Sequence, residues 1–139
     1  ADRVLKSIGA DPAGKTVGIL GIAFKPNTDD VRDAPSLAIV PALQAAGVEV
    51  RAHDPEAREQ AEPLLPGVNW CDTPYEVADG ADAVAVLTEW NVYRGLSPKT
   101  LADRMRGKAI IDMRNIWRPE EFAEAGLIYS GIGRASEPV

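Results

Sequence analysis

Residues 16–23 read TVGILGIA, an apolar run in which only the first position is polar. Strict alternation would mark a strand wetted on one side; a continuous run of this length predicts a strand buried on both faces, as in a parallel sheet. Further strand-like segments follow at 48–54, 68–71, 83–88, 109–112 and 127–133. Between them the period changes to that of a helix. After Ala34-Pro35-Ser36, Leu37, Val40, Leu43 and Ala46 recur at helical spacing until Gly47 stops the pattern, with Pro41 inside it predicting either a kink or a later start. Residues 56–65 form a helical segment ended by Pro66-Gly67, and Thr73-Pro74-Tyr75-Glu76 opens a short helix to about 79 with capping-box chemistry. Ser97 is placed to cap a helix over 97–105, and 119–125 is a helix closed by Gly126. In residues 1–10, Val4, Leu5 and Ile8 share one face and Gly9 ends it, which reads as the tail of a longer helix.

Six strands alternating with helices over short connections predict an α/β fold: a three-layer, Rossmann-like, doubly wound and mostly parallel six-stranded sheet. In such sheets ligands bind beyond the carboxyl ends of the strands, where the strand order reverses. In the common six-strand order, the loops after the first and fourth strands flank that point and the loop after the fifth lies close by. Lys25, Thr88 and Arg114 stand at or just beyond those three strand ends.

Composition narrows the chemistry. The 139 residues suit one domain. A net charge of −6 argues against a phosphate-tracking nucleic-acid surface. No apolar run approaches the roughly 20 residues needed to cross a bilayer, and ADRVLKSIGA lacks the apolar centre of a signal peptide, so the expected location is cytoplasmic, with no membrane or nucleic-acid partner. One cysteine, Cys71, and one histidine, His53, are too few for an internal disulfide or a dedicated metal site. A small anion remains possible where cations gather locally, and Lys25, Arg32 and Arg114 are the candidates.

The loop FKPNTDDVR, residues 24–32, carries two of them. Pro26 fixes its own φ and holds Lys25 extended, aiming the ammonium at the sheet edge. Asn27, Thr28 and Asp29 can bond to backbone N–H groups, and Asp29 or Asp30 can pair with Arg32. A solvated surface turn is the competing reading. Arg114, in IIDMRN, can take a phosphate through two parallel hydrogen bonds, or form a salt bridge with Asp112 or a neighbouring loop; Asn115 has the donor and acceptor suited to a base or sugar. Gly18-Ile19-Leu20-Gly21 lacks the third glycine of a dinucleotide fingerprint and reads as close helix packing. Asp54 can hold a ribose or start a turn. Trp90 reads as packing, Cys71 as a structural thiol and His53 as a hydrogen-bonded structural histidine.

Taken together, Gly21 through Arg32, Ser36-Leu37, His53-Asp54-Pro55, Leu87-Thr88-Glu89-Trp90, Ile111 through Asn115 and Gly131-Ile132-Gly133-Arg134 resemble the C-terminal domain of the UDP-glucose/GDP-mannose dehydrogenase family, most closely its UDP-glucose 6-dehydrogenases. The resemblance implies a division of labour in an NAD-dependent enzyme that oxidises UDP-glucose to UDP-glucuronate. The N-terminal domain of such an enzyme binds NAD and carries the catalytic cysteine. The C-terminal domain binds the nucleotide part of the UDP-sugar. By position, Phe24, Lys25 and Arg114 would contact the UDP-sugar and Arg32 would reach towards NAD. No catalytic residue and no metal site are implied here, because Cys71 matches no cysteine motif of the family. The implied organisation is an interdomain helix tail at 1–10, a UDP-sugar-binding domain at 11–134 and a flexible tail at 135–139. Its implied partners are the NAD-binding domain of the same enzyme and further copies in a homo-oligomer. Other nucleotide sugars, GDP-mannose or UDP-N-acetylmannosamine, stay open. So do a receiver-like domain, which would want its acids directly at the end of the first strand, and a purely structural interaction domain.

Overall fold

The apolar run supplies the centre of the sheet. In a computed structural model, which describes residues 2–9, 11–23, 25, 27–32 and 34–131, the first strand β1 (Thr16–Leu20) pairs on one side with β2 (Glu49–His53) and on the other with β4 (Ala83–Val86). Next to β2 lies β3 (Asn69–Trp70), and beyond β4 lie β5 (Ala109–Asp112) and β6 (Ile128–Gly131). All pairings are parallel and the order is β3-β2-β1-β4-β5-β6. This is the Rossmann-like α/β sheet expected, and the order reverses between β1 and β4. From Val17 onward β1, and all of β4 and β5, are buried, as continuous apolar strands in a parallel sheet require.

The helices are α1 (Asp2–Ser7), α2 (Ser36–Ala45), α3 (Arg58–Ala61), α4 (Asn91–Arg94), α5 (Pro98–Arg104) and α6 (Pro119–Glu124), with a 3₁₀ turn over Pro74–Ala78. Gly18 shows why that turn can lie so close to the sheet: a Cβ there would fall 2.4 Å from the carbonyl oxygen of Val77. The glycine of the incomplete fingerprint is a packing residue. The turn is held by a capping box, in which Glu76 Oε1 accepts the N–H groups of Asp72 and Thr73 at 3.0 and 2.8 Å. Ser97 caps α5 by accepting the N–H of Thr100.

Several elements differ from the pattern's prediction by a residue or two at their ends, and four larger differences have a physical cause. Strand β1 ends at Leu20 instead of Ala23, because Gly21 turns the chain with φ +94° and the next two N–H groups leave the ladder. Helix α2 starts at Ser36 and runs through Pro41, which lies on its exposed side and costs the helix one internal bond. Helix α3 stops at Ala61, since Pro63 has no N–H with which to continue. The four-residue α4, inside what reads as the loop after the fourth strand, has no period long enough to betray it. The expected extension of β6 to 133 and the tail at 135–139 lie outside the described residues. No helix among those described is long and apolar enough to cross a membrane.

Candidate functional site

Three side chains from three different segments fasten the backbone just after β1. Asp54, buried at the end of β2, accepts the N–H groups of Ile22 and Ala23 on Oδ2 at 2.8 and 2.9 Å, and those of Glu56 and Ala57 on Oδ1 at 2.8 and 2.7 Å. Ser36, at the start of α2, donates its hydroxyl to the carbonyl of Ile22 at 2.7 Å. Thr88, just past β4, donates to the carbonyl of Ala23 at 2.7 Å and packs against Gly21, where a Cβ would come within 2.5 Å of Thr88 Cβ. Two N–H groups on each oxygen use up the accepting capacity of Asp54. Of its two readings, ribose holder or turn former, the geometry selects the second. The product of this clamp is a fixed exit direction for the loop that follows.

That loop begins at Lys25, whose side chain is exposed. Phe24 and Pro26 lie outside the described residues. Asn27 adopts φ +65°, Thr28 Oγ1 accepts the N–H of Asp30, and Asp30 accepts the N–H of Arg32. Arg32 also grips Asp30 with its side chain, Nε to Oδ1 at 3.0 Å and Nη2 to Oδ2 at 2.9 Å. Asp30, not Asp29, is therefore the partner, and the Arg32 hydrogen bonds pull its carboxyl down to about 2. Beside this pair a cleft of about 430 Å³ is lined by Thr28, Asp29, Asp30, Val31, Arg32 and Gln60. Gln60 comes from α3 and carries no motif that would have singled it out.

At the end of β5, the fully buried Asp112 accepts the N–H groups of Arg114 and Trp117 and the hydroxyl of Tyr129, at 3.2, 2.9 and 2.8 Å. It anchors the turn in which Asn115 takes φ +57°. The Arg114 side chain is thereby directed away from Asp112. It meets Glu89 of the loop after β4, Nε to Oε1 at 3.1 Å and Nη2 to Oε2 at 3.0 Å. The neighbouring-loop salt bridge is thus the one formed, and those hydrogen bonds hold the Glu89 carboxyl below its ordinary range. The Ala23–Thr88 bond ties the β1 loop to the β4 loop, and Glu89–Arg114 ties the β4 loop to the β5 loop. The three loops flanking the switch point form one hydrogen-bonded set.

His53 and Tyr93 buttress the set from below. The Tyr93 hydroxyl donates to the His53 carbonyl at 2.9 Å; its single proton is then used, so His53 Nδ1 is the donor in the 2.9 Å contact with that hydroxyl. Burial lowers the affinity of the imidazole for a proton, with Asp54 opposing the shift. Between the lowered folded value and the ordinary value of 6.5, the unfolded chain binds more protons, so stability is complete above that range and declines as pH falls through it. Urea midpoints are expected to drop between pH 7.5 and pH 5 by a smaller amount in His53→Gln than in the unmodified chain; equal drops would contradict this. Cys71 is half-buried, and burial raises its thiol with Arg51 opposing the shift, an environment that disfavours the thiolate. Trp90 packs in the core, 7% exposed.

Comparison with known proteins agrees with this architecture. A family model described as "UDP-glucose/GDP-mannose dehydrogenase family, UDP binding domain" matches residues 18–119. A UDP-glucose 6-dehydrogenase of Rhizobium meliloti (strain 1021) is 44% identical over 132 residues, covering 95% of this chain and 30% of that protein. One from Pseudomonas aeruginosa is 43% identical over 127 residues, covering 87% and 28%. Among solved structures, the NDP-N-acetyl-D-galactosaminuronic acid dehydrogenase of Methanosarcina mazei Go1 superposes with a TM-score of 0.81 at 34% identity, over 96% of this chain and 27% of that one. The UDP-glucose dehydrogenase of Pyrobaculum islandicum gives 0.73 at 35% identity, over 88% and 26%. The chain spans about 30% of the length of the curated relatives it matches.

Proposed function

The chain belongs to the UDP-glucose/GDP-mannose dehydrogenase family, and from that premise we propose that it is the part of an NAD-dependent UDP-glucose 6-dehydrogenase that binds the nucleotide of the sugar substrate. The observation that carries this reading is the joined set of loops at the switch point, where the segment leading into Lys25 and the guanidinium of Arg114 are fastened to the same β4 loop. Lys25 and Arg114 supply cations for the diphosphate, and Phe24 would add an apolar contact. The domain limits follow the same reading: a helix tail over 1–10, the binding domain over 11–134 and a tail over 135–139.

The described residues fit only a marginal role towards NAD. Gly18 is filled by Val77 and Asp54 is occupied by backbone, so neither a pyrophosphate-binding turn nor a ribose-binding acid is left after β1 and β2. Arg32, exposed beside its cleft, is the residue that would reach cofactor held mainly by another domain. Two molecules of NAD, bound in turn, would supply the hydride acceptors for the two oxidation steps from the sugar's primary alcohol to the carboxylate, the second of which also consumes a water. The part of this chain is to bind and orient: affinity for the remote nucleotide is converted into placement of the reacting carbon as the cleft closes against the NAD domain. The chain alone should not turn over substrate. In the intact enzyme the NAD-binding domain completes the site, and the enzyme assembles as a homo-oligomer.

Titration calorimetry of the chain with UDP and, in parallel, GDP tests this reading. Weak but saturable UDP binding is expected, with GDP weaker. No heat of binding at millimolar UDP would overturn it, and GDP binding the more tightly would redirect it to a guanosine sugar.

A further inference from the structure

Arg114 projects from the turn after β5, on a side chain that is 39% exposed, yet it has a defined orientation because Glu89 holds it through two parallel bonds. We propose that Glu89 is the positioning residue for nucleotide binding, fixing which edge of the Arg114 guanidinium faces the diphosphate. The inference rests on the nucleotide-binding reading above and goes beyond it, since that reading requires only a cation at this place.

The geometry is specific. A guanidinium has five N–H donors arranged in one plane. Glu89 takes the Nε–H and one Nη2–H, which together form one edge. The edge formed by Nη1 and the second Nη2–H is turned away from the carboxylate, and a diphosphate can meet it with two parallel bonds of its own. Glu89 is itself well placed to act as the fixed partner. Its residue follows Thr88, which is fully buried and bonded to the Ala23 carbonyl, so the carboxylate is carried by a backbone already tied to the β1 loop. Arg94 of α4 also lies within its field. Releasing Arg114 from this grip would leave a long side chain to be ordered at the moment of binding. Ordering one such side chain corresponds to about a three- to tenfold loss of affinity.

Glu89 has an opposing effect, because its charge repels the approaching anion, and two substitutions separate the two. Glu89→Gln removes the charge and one strong bond; Glu89→Asp keeps the charge and shortens the reach of the fork. Both are expected to weaken UDP binding by about three- to tenfold in calorimetry while leaving the urea midpoint unchanged, as for an exposed ion pair. In an Arg114→Ala background neither should have any further effect on UDP. Tighter binding by Glu89→Gln with Glu89→Asp unchanged would make Glu89 a competing anion and overturn the proposal. So would an undiminished effect in the Arg114→Ala background, which would mark a general role in loop structure. If the unmodified chain binds no UDP, the nucleotide-binding reading falls and this inference with it, an outcome distinct from binding that ignores Glu89.

Discussion

Asp54→Asn is expected to lower the stability of the chain by about 3–6 kcal/mol, although it changes a single heavy atom. The native carboxylate accepts four backbone N–H groups, two on each oxygen. An asparagine presents one carbonyl oxygen and one amide nitrogen, which is itself a donor. Whichever way the amide is turned, two N–H groups face an NH₂ and lose their acceptor. Hydrogen bonds to a charged acceptor are worth about 1.5–3 kcal/mol each, so losing two accounts for the range. The residue is only 8% exposed, which leaves little room for water to replace the lost acceptor. Urea unfolding of the two chains measures the difference, and a loss below about 1 kcal/mol would show that the clamp does not hold the loop. The consequence for function follows from where the bonds land. Ile22 and Ala23 lead directly into the loop of Lys25, so a variant that still folds should bind UDP less well at the same time.

Residues whose partners are near in sequence, or whose role is set by burial alone, were legible; those whose partners come from another strand were not. The run at 16–23 announced a central buried strand because a parallel sheet covered on both faces leaves no position for a polar side chain. The Asp30–Arg32 pair spans two positions, and the Thr73–Glu76 box three, so local chemistry reaches the box outright and narrows the partner of Arg32 to Asp29 or Asp30, between which the structure selects Asp30. Asp54 is 32 positions from Ile22, and Glu89 is 25 from Arg114. Both partnerships arise only because β1 sits between β2 and β4 and β5 lies next to β4. Sequence could place Arg114 at a strand end and offer a neighbouring loop as its partner. Choosing Glu89 required the pair of loops that the strand order brings together. The same limit explains why the sequence pattern runs three residues past the end of β1: Gly21, Ile22 and Ala23 are as apolar and as buried as the strand, but after Gly21 closes the last rung on the His53 carbonyl, the N–H groups of Ile22 and Ala23 turn to the Asp54 carboxylate, off the ladder.

Arg114→Ala is expected to weaken UDP binding by about ten- to a hundredfold, with stability almost unchanged. The two halves of this expectation have separate causes. For stability, the guanidinium contributes one ion pair with Glu89 at a partly exposed position, and such pairs are worth about 0–1 kcal/mol. The turn itself is held through the backbone N–H of residue 114, which any substitution except proline retains. For binding, a charge-assisted hydrogen bond to a phosphate is worth about 1.5–3 kcal/mol, and each 1.36 kcal/mol is a factor of ten. Arg114→Lys sharpens the test, because it keeps the positive charge but has neither the fork that Glu89 grips nor the second edge that a diphosphate can use. If orientation matters as much as charge, lysine should recover less than half of the lost binding free energy. Calorimetry with UDP, paired with urea unfolding of each variant, gives both quantities. Binding by Arg114→Ala within about threefold of the unmodified chain would remove Arg114 from the site. Recovery by lysine to the unmodified affinity would instead keep the cation and discard the fork, and with it the reason for Glu89 to hold one edge.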